Sequence, residues 1–320
     1  MLGATLVDVG RPLELLERTR LVPEHGEVVI DVRAAALNRR DYWITQGLYP
    51  GTTTPVVLGS DGSGTVSANG SADLEGMLGR DVVINPGWGW GPDQRAQSSA
   101  FRILGMPDDG CLANQVVAPA VYVHPKPAHL DWREAAALPL AGLTAYRALL
   151  VQGRLAARDR VLINGVGGGV AAFAMQFAIA AGNEVIVTSS SSSKIAQAIE
   201  LGAAAGFAYT EDNWSKEIAA AFDSIDLIID GAGGDGYAKL VELAAPGGRI
   251  VSYGDRRTST EARPVQGVLE TVAAGWFDHG IARGLPGDAR LCRIASNSSR
   301  ARSAFSIGGS QRGARSNETL

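Results

Sequence analysis

The chain has 320 residues, 46% of them hydrophobic, so it is longer than one core usually supports and apolar enough to bury two. A net charge of −4 leaves no basic surface for nucleic acid and excludes that class of partner. Cys111 and Cys292 are too few for a disulfide framework or a cysteine metal cluster, which favours a reducing, cytoplasmic setting.

No membrane partner is expected either. The first twenty residues lack the pattern of a signal peptide. The longest uncharged stretch, residues 164–183, is nearly long enough to span a bilayer. Its glycines cluster at one end and β-type runs flank it, which favours a helix buried inside a soluble domain.

The first part of the chain, residues 1–127, is predicted to be a barrel-like β domain. Short β-type runs separated by Gly and Pro occur at residues 27–33, 56–66, 81–86 and 114–119. The long segment at residues 86–110 is interpreted as an Ω-loop packed by its own Trp88 and Trp90, with a substrate-contacting lobe as the alternative.

From residue 128 to residue 254, strand and helix patterns alternate. A helical pattern follows Asp131, which is placed to cap it together with Glu134. Strands are predicted at residues 160–164, 184–188, 205–209, 226–230 and 249–254, with helices at 169–181, 194–201, 214–221 and 237–243. Short right-handed connections then give a doubly wound parallel sheet, so this part is predicted to be a Rossmann-type α/β domain.

A glycine-rich turn follows the first of these strands. A phosphate-binding turn needs glycine where the backbone approaches a pyrophosphate, and it needs a helix whose free N–H groups face the anion. The run departs from a strict G-x-G-x-x-G, but the strand before it and the helix after it strengthen the signal. The predicted dinucleotide contacts are Gly165, Gly167, Gly168, Gly169, Val170 and Ala171.

The end of the second strand indicates which dinucleotide binds. An acidic residue there would bind the ribose 2′-hydroxyl of NAD, but residues 188–194 read Thr-Ser-Ser-Ser-Ser-Ser-Lys and the next carboxylate is Glu200. Hydroxyls and a lysine suit a 2′-phosphate. We therefore predict NADP(H), with Ser189, Ser190 and Lys194 as ligands, and keep a serine-rich surface linker as the alternative.

Six segments, in family order, resemble the zinc-independent, quinone-oxidoreductase-like branch of the medium-chain dehydrogenase/reductase superfamily. They are AALNRRDYWITQGLYPG (35–51), PVVLGSDGSGTV (55–66), AAALPLAGLTAYRAL (135–149), VLINGVGGGVAAFAMQFA (161–178), LGA (201–203) and PGGRIVSYG (246–254). The resemblance implies a GroES-like β-barrel catalytic domain joined to a Rossmann domain, with the nicotinamide in the cleft between them. It also implies that Asn38, Tyr42 and Thr144 line this cleft. Lys194 and Tyr209 would hold the adenine-ribose phosphate, and Gly254 is a further cofactor contact.

The activity implied by this resemblance is direct hydride transfer from NADPH to a polarised C=C or C=O of a small quinone, enone or aldehyde. The candidate catalytic residues are Asn38, Asp41, Tyr42 and Ser60. Members of the family form homodimers or homotetramers, but the assembly of this chain stays open because the edge strand that commonly pairs in the dimer is missing. Two alternatives stay open: a dinucleotide-binding protein with little or no catalysis, and a zinc-type alcohol dehydrogenase.

No metal site is predicted. Zinc-using members of the family carry a cysteine, a Gly-His-Glu and a third ligand at the places where this chain has Asn38, Ser60-Asp61 and Pro139-Leu140. None of these supplies a thiolate or an imidazole, and Asp61 alone cannot make a site. The four histidines include no i, i+4 pair.

Residues 255–320 do not continue the resemblance, which suggests a replaced end or an altered reading frame. Only residues 267–277 have helical character, and residues 296–320 read as disordered. We expect a poorly ordered tail that leaves the strand at 249–253 as an uncovered sheet edge and lowers the activity.

Limited digestion with trypsin tests the expectation for the tail, which contains ten arginines. If the tail is loose, cleavage falls there first and leaves a fragment ending near Gly254, which mass spectrometry identifies. The expectation of a loose tail would be contradicted if the tail resisted trypsin for as long as the Rossmann domain does and the protein also had ordinary turnover.

Overall fold

The computed structural model describes residues 1–253, apart from the side chain at position 235. Gly254 and the predicted tail, residues 255–320, lie outside the described residues. Within residues 1–253, no helix is both long and apolar enough to cross a membrane.

The strands of the first 125 residues pair in antiparallel sheets. Their elements are β1 (Leu2–Leu6), β2 (Glu14–Glu17), β3 (Glu27–Ala36), α1 (Arg39–Thr45), β4 (Val56–Val57), β5 (Asp61–Asn69), β6 (Asp81–Ile84), β7 (Gly87–Trp88), β8 (Arg102–Ile103), β9 (Gln115–Pro119) and β10 (Val123–Pro125). A five-stranded sheet has the order β10-β6-β5-β3-β9, and a smaller one has the order β2-β1-β4.

The five-stranded sheet curls around an aliphatic core. Its longest pair, β3 and β5, has register shifts between Val29 and Ile30 and between Val32 and Ala34. Such irregularities bend and twist a strand, so the sheet wraps around the side chains of residues such as Ile30 and Ile84. This half-barrel confirms the predicted GroES-like domain.

The rest of the described chain alternates helices and parallel strands. The elements are α2 (Trp132–Ala136), α3 (Pro139–Tyr146), a π-helical turn (Arg147–Gln152), β11 (Arg160–Asn164), α4 (Gly169–Ala180), β12 (Glu184–Ser189), α5 (Ser192–Glu200), β13 (Ala205–Ala208), α6 (Trp214–Ala221), β14 (Ile225–Asp230), α7 (Tyr237–Leu243) and β15 (Ala244–Ser252). The sheet order is β13-β12-β11-β14-β15, so the direction of strand addition reverses between β11 and β14. The predicted doubly wound sheet is confirmed.

Several predicted elements have other bounds in the structure, and two of these differences have a clear physical cause. The helical pattern after Asp131 forms two helices, because Pro139 has no N–H and takes the first position of a new helix. The predicted capping box of Asp131 and Glu134 is present on the first of them. The last strand begins at Ala244 and not at residue 249, because the turn-like Pro-Gly-Gly sequence is absorbed at an irregularity in its pairing with β14.

The long loop at residues 86–110 packs on its own aromatic residues, as predicted. Trp88 and Trp90 are both buried. Trp88 stacks on Tyr122, and Trp90 meets the ring of Phe101 edge to face at a centroid distance of 5.0 Å. The loop therefore forms part of the core of its domain.

A buried guanidinium ties this loop to the second domain. Arg147, at the start of the π-helical turn, lies 4.1 Å from the ring centroid of Trp90, and its Nη1 donates to Oε1 of Gln94 at 3.0 Å. Burial lowers the pKa of Arg147 to about 10, so the side chain stays charged at neutral pH. Sequence patterns gave no indication of this tie.

Candidate functional site

Three buried polar side chains meet at the carboxyl ends of the central strands. Asn164 ends β11, Thr188 lies near the end of β12 and Asp230 ends β14. Nδ2 of Asn164 donates to Oδ1 of Asp230 at 2.8 Å, and the Thr188 hydroxyl donates to Oδ1 of Asn164 at 2.5 Å. Doubly wound sheets bind ligands at this edge, where the strand order reverses.

None of these three residues was among the predicted site residues. A signal for all three was present, because each is the polar last residue of a predicted strand whose three central residues are apolar. Asp230 also accepts hydrogen bonds from the backbone N–H groups of Ala232 and Gly233. The network therefore orders the loop after β14 as well as the strand ends.

The same network holds the glycine-rich turn. The N–H of Gly165 lies 3.1 Å from both the hydroxyl and the carbonyl oxygen of Thr188, and the N–H of Val166 donates to that carbonyl at 2.7 Å. Gly165 and Gly167 have φ values of +83° and +121°, in the region that favours glycine. The turn is thus fixed by the sheet behind it and by two glycines that a residue with a Cβ would strain.

Helix α4 starts where the turn ends and faces open space. Gly168 is its N-cap, and a Cβ added there would meet nothing within 4 Å. The first turn contains Gly169, Val170 and Ala171 and no carboxylate. Free N–H groups and the helix dipole therefore face a cradle suited to an anion, and the residues present fit the pyrophosphate of a dinucleotide.

Lys194 lies against this turn. A Cβ added to Gly167 would be 2.6 Å from Cδ and 3.1 Å from Nζ of Lys194. The lysine is held there by α5, whose N-cap Ser191 accepts from the Lys194 backbone N–H at 3.5 Å. Helix α5 begins at Ser192, two residues earlier than predicted. It places the positive charge of Lys194 where the adenine-ribose phosphate is predicted to bind.

The other residues predicted for this end differ in what they can contact. Ser189 is buried, and its hydroxyl donates to the carbonyl of Val166 at 3.1 Å, so it supports the turn. Ser190 is exposed at the strand end. Tyr209 is half-buried just after β13, and its backbone N–H donates to the Ser189 carbonyl at 3.1 Å.

The predicted catalytic residues lie around the start of α1. Asn38 is the N-cap of this helix, and its backbone N–H donates to the Asp41 carboxylate at 2.7 Å. Burial raises the pKa of the Asp41 carboxyl, while the Asn38 N–H and the Arg40 guanidinium oppose that rise. Tyr42 is 51% exposed. Tyr42 is therefore open to a ligand, whereas Asp41 is occupied with its own helix.

Ser60 and Thr144 have their hydroxyls engaged within the protein. Ser60 is fully buried and accepts from Nη1 of Arg40 at 3.0 Å. The half-buried Thr144 donates to the Leu140 carbonyl one turn earlier in α3 at 2.7 Å. These contacts favour a structural role for Ser60 over contact with a substrate.

Cys111 is a buried packing residue. Burial raises the pKa of its thiol, and the nearby Asp61 and Asp41 carboxylates raise it further, so the thiol stays protonated. Across residues 1–253, no three side chains of His, Cys, Asp or Glu are grouped as a metal site would require.

Comparison with known proteins matches both halves of the chain. A family model for the alcohol dehydrogenase GroES-like domain matches residues 24–128, and one for the zinc-binding dehydrogenase family matches residues 169–272. The zinc-type alcohol dehydrogenase-like protein YogA of Leptosphaeria maculans is 36% identical over 277 residues, covering 82% of this chain and 77% of its own.

Two solved structures share the fold and differ in cofactor. An NAD-dependent alcohol dehydrogenase has a TM-score of 0.73 and 34% identity, covering 79% of this chain and 77% of its own. The quinone oxidoreductase of Thermus thermophilus, also solved in complex with NADPH, has a TM-score of 0.65 and 29% identity, covering 79% of this chain and 73% of its own. Similarity alone thus leaves the choice of dinucleotide open.

Alanine substitutions of the two glycines that flank α4, Gly168 and Gly182, test the proposed anion-binding cradle. Gly168→Ala adds a Cβ to the open space in front of the helix, so we expect at least about tenfold weaker dinucleotide binding with Tm changed by no more than about 2 °C. Gly182→Ala, at the other end of α4 with φ +87° and open surroundings, strains the backbone and should lower Tm by several degrees without changing the dinucleotide Kd. Fluorescence titration and thermal melts measure both. Unchanged binding in Gly168→Ala would place the cofactor elsewhere.

Proposed function

The chain belongs to the medium-chain dehydrogenase/reductase superfamily, whose members are oxidoreductases that use a dinucleotide cofactor, and on that premise we propose that it is an NADPH-dependent reductase without catalytic zinc. Its substrate class would be a small quinone, enone or aldehyde. The observation that carries the proposal is the position of Lys194 against the glycine-rich turn. We also propose that the chain divides near residue 127 into a catalytic and a cofactor-binding domain.

The charges around the end of β12 support NADPH. The 2′-phosphate of NADP carries about two negative charges, whereas NAD has a hydroxyl at that position. Lys194 supplies a positive charge and Ser190 an exposed hydroxyl, and no carboxylate follows in the sequence before Glu200. A carboxylate at the strand end would favour the NAD ribose and repel the phosphate.

The residues at the three zinc-ligand places support a metal-free mechanism. Nδ2 of Asn38 donates to the Asp61 carboxylate, so these two side chains already satisfy each other. The Arg40 guanidinium lies 3.0 Å from the Ser60 hydroxyl, and a fixed positive charge there repels a divalent cation. Zinc appears in the names of the matched family and relative, but the groups in this chain do not fit a zinc ion.

The protein's own part in such a reaction is binding, orientation and the supply of hydrogen bonds. When bound, NADPH supplies the hydride. The cradle at α4 would hold the pyrophosphate, and the ordered loop after β14 would border the cleft. In this proposal, Tyr42 and the second N–H of the Asn38 carboxamide would donate hydrogen bonds to a substrate carbonyl oxygen, which stabilises the charge that develops there.

Removal of the Lys194 charge tests the cofactor proposal. Lys194→Ala should weaken NADPH binding by roughly ten- to a hundredfold, because a hydrogen bond to a charged group contributes about 1.5–3 kcal/mol, and should change NADH binding far less. Lys216→Ala, which removes an exposed lysine of α6, is the matched control. Equal losses for NADPH and NADH in Lys194→Ala would overturn the NADPH assignment.

Metal content and turnover test the mechanism. Purified protein should contain less than one zinc per ten chains by elemental analysis, and oxidation of NADPH with quinones, enones or aldehydes should continue at the same rate after treatment with a chelator. One tightly bound zinc per chain would favour the zinc-type alcohol dehydrogenase instead. Dinucleotide binding without turnover on any of these substrates would favour the binding protein.

A further inference from the structure

One carboxylate joins all three places at which zinc-using relatives hold a ligand. Asp61, the first residue of β5, is fully buried. Its Oδ2 accepts from Nδ2 of Asn38 at 2.8 Å, and its Oδ1 accepts from the backbone N–H of Leu140 at 2.7 Å. A metal ion would connect the same three segments, and here hydrogen bonds connect them.

The contact with Leu140 caps α3 from the other domain. The N-cap residue of α3, Leu138, has no side-chain group that can cap it, and Pro139 has no N–H. The start of a helix needs an acceptor for its free N–H groups and favours a negative charge. Asp61 supplies both, so the position of α3 depends on a residue of β5.

The contact with Asn38 fixes the orientation of its carboxamide. The Asp41 carboxylate accepts from the Asn38 backbone N–H at 2.7 Å, and the Asp41 backbone N–H donates to the Asn38 main-chain carbonyl at 3.0 Å, so the backbone of Asn38 is held at the start of α1. The Asn38 Nδ2 donates to the Asp61 carboxylate at 2.8 Å. Rotation of the amide by 180° would set its oxygen against the carboxylate oxygen, acceptor against acceptor, and lose this hydrogen bond.

We propose that Asp61 is a positioning residue that replaces a metal ion as the cross-link between the two walls of the cleft. It holds Asn38 on the first domain and the start of α3 on the second domain at a fixed separation. The buried charge is tolerated because each carboxylate oxygen has a donor and because the α3 N-terminus faces it. Its effect on turnover rests on the proposed reductase function.

An exchange of side chains between positions 38 and 61 tests the cross-link. In Asp61→Asn the new amide must turn its NH₂ group toward the NH₂ group of Asn38, and in Asn38→Asp two carboxylates face each other. Each single variant should lower Tm by about 5 °C or more. In the double variant, Asn38→Asp with Asp61→Asn, every donor again meets an acceptor. The double variant should therefore recover at least half of the Tm that the two single variants lose in sum.

Hydrogen exchange provides a readout across the cleft that needs no activity. Peptides covering residues 138–146 should exchange faster in Asn38→Asp, although this change lies in the other domain, and should slow again in the double variant. Asp8→Asn, the same chemical change at an exposed residue, should leave both Tm and exchange unaltered. The proposal would be overturned if the Tm losses of the two single variants simply added in the double variant. It would also be overturned if hydrogen exchange in α3 did not change in Asn38→Asp.

The effect on turnover is read separately. In Asp61→Asn we expect kcat to fall by about tenfold or more while the NADPH Kd changes less than about twofold, because the cradle at α4 is untouched. Parallel loss of kcat and NADPH affinity would show general unfolding and count against a positioning role. If wild-type protein reduces none of the substrates tested, the proposed function fails, and the stability cycle and the exchange data still decide whether Asp61 is the cross-link.

Discussion

The hydrogen-bonded group of Asn164, Thr188 and Asp230 determines the shape of the cofactor site from inside the sheet. Buried polar groups without partners are costly, so strand ends that carry them are stable only in the register that pairs them. That register places the Thr188 hydroxyl and carbonyl behind Gly165. The glycine-rich turn is therefore built on the sheet before any ligand arrives, and α4 begins in the right place to face an anion.

The two domains are joined by directional contacts as well as by apolar packing. Ile103 of the first domain is part of the core cluster of the second. At the same boundary, Arg147 donates a hydrogen bond to Gln94 in the loop at residues 86–110, and Asp61 accepts one from the start of α3. Apolar contact alone allows two bodies to slide, whereas buried charged hydrogen bonds have preferred lengths and angles. The contact between the two domains therefore includes polar groups with preferred distances and angles as well as apolar side chains.

Local features were predictable from the sequence, and contacts between distant residues were not. The individual strand and helix segments, the capping box at Asp131 and the glycine-rich turn each depend on residues close in sequence, so pattern and spacing were enough to predict them. Asp61 and Leu140 are 79 residues apart, and Arg147 and Gln94 are 53 apart. No periodicity links such pairs, because each contact exists only once the sheets have folded.

The serine run shows the same limit at closer range. Its position in the βαβ unit indicated a phosphate-binding end, and Lys194 does lie against the turn. The sequence alone could not show which of these consecutive serines faces solvent, because their side chains are identical. Ser189, the last residue of β12, donates its buried hydroxyl to the Val166 carbonyl, Ser190 beyond the strand end is exposed, and Ser191 caps α5. Identical side chains thus take three different roles within three residues.

The stacking of Arg147 on Trp90 couples an optical signal to the boundary between the domains. The indole is 1% exposed and has a guanidinium 4.1 Å from its ring centroid, supplied by the other domain. Any motion that separates the loop from the π-helical turn removes that charge from the ring face and admits water to the indole. The fluorescence of Trp90 should therefore change when the loop and the π-helical turn separate.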